Sequence, residues 1–155
     1  MPKPRHALLA LLLLATPAAA QPAGFIEVIP TERGQAVRIA AHQVVRVGRG
    51  EGGTVIDTTA WVQQRSAESV EAVARKLQAA GQRLVALTDL SGGRTYIAAD
   101  RVVVVRDSGE RHAVGARAAI VMVGLRFNTD VAVRESVAEV MEALGRAGPL
   151  SAGGG

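Results

Sequence analysis

Ile39-Ala40-Ala41-His42-Gln43-Val44-Val45-Arg46-Val47 returns as Ile97-Ala98-Ala99-Asp100-Arg101-Val102-Val103-Val104-Val105, identical at six of nine positions. A glycine precedes both segments at the same distance, Gly34 and Gly92, and the chain is read as one small module written twice. Downstream, Glu68-Ser69-Val70 with Val73 and Leu77 recurs as Glu135-Ser136-Val137 with Val140 and Leu144. The offset between copies grows from 58 to 67 residues, so the second copy carries nine extra, which we place within Asp107 to Arg117. An exposed loop absorbs such a length at little entropic cost.

Short β-branched runs separated by turn residues predict strands in each copy. In the first they fall at Phe25 to Ile29, Ala36 to Ala40, Val44 to Val47, Thr54 to Thr58 and Trp61 to Gln64. In the second they fall at Leu84 to Thr88, Arg94 to Ala98, Val102 to Arg106, Ala118 to Leu125 and Asp130 to Val133. Each copy closes on a helix, because Val70, Val73, Ala74 and Leu77 share one face, as do Val137, Val140, Met141 and Leu144. The expectation is an α+β protein of two homologous modules, each a short antiparallel sheet followed by one helix. Residues 21–80 form the first module and 82–147 the second, and 148–155 are a Gly-rich disordered tail. Small modules without disulfides gain by covering each other, so the copies are expected to pack about a pseudo-twofold axis.

The chain opens with Lys3 and Arg5, an apolar run from Ala7 to Ala15 and the small residues Ala18-Ala19-Ala20. That order reads as a secretory signal peptide over residues 1–20, cleaved after Ala20, and implies a periplasmic or secreted protein. The apolar run is too short to cross a hydrocarbon core, which takes roughly twenty helical residues, so no stable membrane insertion is expected after cleavage. Without the two leader cations, sixteen basic residues face fourteen acidic ones, and the net charge falls from +4 to +2. The pI of 10.6 therefore overstates the basicity, and nucleic acid is not an expected partner. Phe25, Trp61, Tyr96 and Phe127 are the whole aromatic inventory, too few for base-stacking platforms. The absence of Cys excludes a lipoprotein anchor, disulfides and thiolate metal sites.

The second copy resembles the FlbD-type family of small proteins grouped with flagellar and swarming-motility genes. The residues that carry the resemblance are Leu87-Thr88, Gly92-Gly93, Asp100 before Val102 to Val105, and Val133-Arg134-Glu135-Ser136-Val137-Ala138-Glu139-Val140. The first copy keeps Gly34 and Glu68-Ser69-Val70 but has His42 at the Asp position and Ala72 where Glu139 stands. The resemblance implies a motility-associated accessory protein and carries over no catalytic residue.

No motif demands chemistry. Ser136 and Glu139 read as a capping box, and Ser69 as the cap of the first helix. Gly48-Arg49-Gly50-Glu51-Gly52-Gly53 satisfies G-x-G-x-x-G, but it runs into strand rather than a helix N-terminus, so it reads as a hairpin turn. His42 and His112 are too isolated for a zinc site. No catalytic, cofactor-binding or metal residue is therefore expected. The function read from the sequence is non-catalytic binding or scaffolding in the bacterial envelope or periplasm, with a protein or envelope component as partner. Arg49, Arg111, Arg117 and Trp61 are the candidate contacts. Alternative readings are a binder of an anionic envelope ligand through those arginines, the motility role, and an uncharacterised hydrolase.

Overall fold

A computed structural model describes residues 24–126 and 129–147. The leader and the disordered tail expected from the sequence, residues 1–20 and 148–155, lie outside the described residues. The first copy contributes β1 (Phe25–Val28), β2 (Val37–Ala40), β3 (Val44–Gly50), β4 (Gly53–Thr58), β5 (Gln63–Ser66) and α1 (Val70–Ala79). The second contributes β6 (Leu84–Thr88), β7 (Arg94–Ala98), β8 (Val102–Asp107), β9 (Ala118–Met122), β10 (Val131–Val133) and α2 (Val137–Arg146). Element order is thus the same in both copies. The ten-residue loop 108–117 stands where the first copy has the two-residue turn Glu51-Gly52.

The α+β expectation is overturned. The described residues are mostly β, with ten strands in three sheets and two helices, and no copy consists of one sheet under one helix. The strand orders are β1-β2, β10-β9-β8 and β5-β4-β3-β7-β6. The reason is local. A 3₁₀ turn at Ala41–Gln43, and its counterpart at Ala99–Arg101, turns the chain between β2 and β3 and between β7 and β8. The strands on either side of each corner enter different sheets, and β3 of the first copy pairs with β7 of the second, Arg46 opposite Ile97 and Val47 opposite Tyr96. Hydrophobic alternation predicts a strand and its buried face but not its partner, so this crossing of the repeat boundary is invisible to it.

The junction is also one-sided. A pseudo-twofold would reproduce β3·β7 as β8·β2, whereas β2 and β8 belong to separate sheets. Two cores result, and they exchange residues. Val44 and Val47 join the first core while Val45, between them, joins the second, and Leu84 and Tyr96 of the second copy cover the first core. Burying this apolar surface is the main stabilising term, about 25 cal/mol per Å² removed from water.

Several strand boundaries differ from the sequence reading, β3 running on to Gly50 among them, and two of the differences have a clear backbone reason. Trp61 belongs to the β4–β5 turn, and β9 ends at Met122 because Gly124 adopts φ +89° in the turn beyond it. Ser69 caps α1 by accepting from Ala72 N at 3.1 Å. Ser136 and Glu139 form a reciprocal box at α2, with Ser136 N–H donating to Glu139 Oε2 at 2.7 Å.

Candidate functional site

A cleft of about 420 Å³ opens where the β4–β5 hairpin of the first copy meets the β9–β10 connection of the second. Its position follows from the one-sided junction. Gly124 lets the two copies approach, for a Cβ there would stand 2.8 Å from Thr59 Cα and 2.9 Å from Val45 Cγ2.

The floor on the first-copy side is a closed polar network. Asp57 lies on β4 among buried neighbours, its side chain only 7% exposed, and accepts from Arg46 Nε at 2.7 Å through Oδ2. Its other oxygen accepts from Gln63 Nε2, also at 2.7 Å. Cross-strand register delivers the three, because Arg46 and Gln63 both pair with Asp57 from the flanking strands. A buried carboxylate this fully partnered is held in place rather than left reactive.

On the second-copy side Asp130 is the organising residue. Its buried carboxylate receives Arg106 Nη2 at 2.8 Å and also pairs with Arg111. His112 Nε2 lies 3.4 Å from the same oxygen, while His112 Nδ1 accepts the Gly109 N–H at 2.7 Å. The hydrogen bond from Arg106 outweighs burial and, with the charge of Arg111, holds the Asp130 carboxyl below its ordinary value of 3.8. Both His112 nitrogens face these partners, so neither is turned on a hydroxyl in the manner of a hydrolytic base.

Trp61 stands at the rim. Thr58 N–H donates to Val62 O and Trp61 N–H to Thr58 O, which makes the turn a three-residue hairpin loop whose last position is left-handed. Glycine ordinarily fills that position, yet Trp61 occupies it at φ +62°, the residue 66% exposed. Val62, Leu125 and Arg126 complete the rim.

The remaining candidate contacts do not share a partner. Arg111 is bound to Asp130, Arg117 pairs with Glu139 at 3.1 Å, and the charge of Arg49 acts on Asp89. The structure brings Trp61 and Arg111's partner Asp130 to one cleft and leaves Arg49 and Arg117 elsewhere. Sequence reasoning missed Arg46, Asp57, Gln63 and Asp130. A lone Asp inside the apolar run Thr54 to Thr58 was a readable signal for Asp57; Asp130 offered none, since its partners lie 19 and 24 residues away. Among the described residues, no group of three or more His, Asp or Glu is placed to hold a metal ion, and no helix is long and apolar enough to cross a membrane. No family model, no curated protein and no solved structure matches this chain.

Proposed function

We propose that the chain is an exported, non-catalytic binding or scaffolding protein of the bacterial envelope, which takes a protein partner across the cleft between its two repeats. The observation that carries the reading is Trp61. Left-handed backbone costs a non-glycine residue about 1–2 kcal/mol, and here it holds a large aromatic side chain in solvent at the mouth of a cleft. Exposed aromatics are the residues that anchor protein interfaces. Trp61, Val62 and Leu125 offer apolar contact beside the paired charges of Arg46–Asp57 and Arg106–Asp130, with Arg126 adding a cation at the rim, and this mixed surface suits a polypeptide segment better than a small anion. Export rests on the leader pattern of residues 1–20. The likeness of the second copy to FlbD-type modules is compatible with this role and adds no residue to it.

Trp61 is the sole tryptophan, so 5-hydroxytryptophan incorporated in its place, excited at wavelengths that ordinary tryptophan does not absorb, reports on the cleft alone. Titration with fractionated envelope proteins should shift the emission to the blue and fail with Trp61→Phe as a binding competitor at equal concentration. A partner that binds tightly without moving the Trp61 emission, and equally well to Trp61→Ala, would remove the cleft from the function.

A further inference from the structure

The repeat lets each surface of the second copy be compared with its covered counterpart in the first. Val45 is fully buried and its repeat position, Val103, is 58% exposed; Ala74 is 1% exposed and its counterpart Met141 is 52% exposed. Val44, Val47 and Leu77 are likewise buried to 0%, while Val102, Val105 and Leu144 are each partly open. The second copy supplies the cover in two ways: it takes Val45 into its own core, and it lies over Val44, Val47 and Leu77 of the first. In the first copy the outer edge of β3 is paired with β7, and Leu84 and Tyr96 lie over the apolar strip. In the second copy the outer edge of β8 has no strand partner among the described residues, and the matching strip is an open groove of about 360 Å³ lined by Arg83 and by the apolar Ala99, Val102, Val103, Val105, Met141 and Leu144.

The element that would fill it is also on this chain. By the same repeat, β7 corresponds to β2, whose outer edge is equally unpaired, and the registers Leu84↔Ala98 and Phe25↔Ala40 make Phe25 the counterpart of Leu84. Phe25 is 42% exposed. Even the bulge agrees, since β3 against β4 slips between Val44 and Arg46 and β8 against β9 slips between Val102 and Val104.

We propose that the protein assembles head to tail with second copies of itself. β2 of one copy adds to the β8 edge of the next, Ile39 opposite Val104 and Arg38 opposite Val105, and Phe25 enters the groove between Val102 and Met141. The contact reproduces between chains the β3·β7 junction already present within each. Being heterologous, it closes into rings or runs on as filaments rather than stopping at a twofold dimer. Pairing also removes an exposed, valine-rich strand edge of the kind proteins otherwise protect. The interface uses no residue of the Trp61 cleft.

Sedimentation velocity on the full chain over a wide concentration range should show species larger than one chain that grow with concentration. Phe25→Asp and Val104→Lys spoil opposite ends, so each alone should sediment as a monomer with an unchanged thermal melt. Mixed, they should form a one-to-one dimer, because each retains the end the other lacks. Met141→Glu, on the helix side of the groove, should behave as Val104→Lys does and guards against misfolding of the strand variant. A chain monomeric at every concentration, association insensitive to these substitutions, or mixed variants that stay monomeric would each overturn the proposal.

Discussion

Both carboxylate oxygens of Glu135 accept the backbone N–H of Thr88, at 2.9 and 3.0 Å. The same link exists in the first copy, where Glu68 Oε2 accepts the Ile29 N–H at 2.9 Å and Lys76 Nζ lies 2.5 Å from Oε1. In each copy, then, the residue just before the helix cap ties the helix start to the end of the first strand of its module. Hydrogen bonds to a charged group contribute about 1.5–3 kcal/mol each. Glu135→Ala is expected to cost about 2 kcal/mol in chemical denaturation, with Glu135→Gln recovering part of it; a loss below 0.5 kcal/mol would mean that water replaces the carboxylate at no cost.

Trp61→Gly should raise stability while weakening partner binding. Relief of left-handed strain, about 1–2 kcal/mol, exceeds the roughly 0.5–1 kcal/mol of unfolded-chain entropy that glycine adds. The expected net gain is about 0.5–1 kcal/mol, and Trp61→Ala, which keeps the strain, should show none of it. A stability loss in Trp61→Gly would show that the indole is held by packing instead.

Acid should weaken the fold through Asp130 and Glu68. Burial pushes the Glu68 carboxyl up, but Lys76 and the Ile29 N–H together bring it below its ordinary 4.5; Arg106 first, then Arg111, does the same for Asp130 below 3.8. A carboxyl lowered in the folded state contributes stability that is whole above its unfolded value and is lost as pH falls through the folded one. Denaturation midpoints are therefore expected to be level from pH 7 to about 5 and to fall below about 4. Asp130→Asn should lower the midpoint at pH 7 and flatten the acid limb. Added salt should reduce the Asp130 contribution, since both arginines are half in water.

What the sequence makes legible is whatever is local. Leu84 to Thr88 and Arg94 to Ala98 are strands with those same ends, and α1 buries the apolar face read from its spacing, whereas α2 buries Val140 and leaves Met141 half exposed. Neither the three-sheet arrangement nor the mostly β class is legible, because a period of two names a strand's inner face and says nothing of its neighbours. Val45 illustrates the gap. Between Val44 and Val47 it reads as one more apolar residue of one strand, yet a bulge turns it into the other repeat's core. The cleft was legible in Trp61 and in the lone Asp57 of its run, while Asp130 acquires meaning only from cations far along the chain.

The exchange of core residues across the repeat boundary decides how the chain unfolds. Val45 lies in the second copy's core, Leu84 and Tyr96 lie over the first copy's core, and β3·β7 runs through the middle of the five-stranded sheet. Cutting at the linker between α1 and β6 would therefore strip each half of part of its core and leave a central strand of each as an open edge. A domain of about sixty residues buries only roughly 60% of its unfolded surface and has little stability to spare. Residues 21–80 and 82–155 expressed apart should each be unfolded or associate, and the joined chain should melt in a single calorimetric transition. Gly124→Ala gives the same test in the intact chain: strain at φ +89° and contact with Thr59 should cost about 2 kcal/mol and lower that one transition without splitting it. Two separable transitions, with each half keeping its stability as a monomer, would show that the repeats fold independently and meet only after folding.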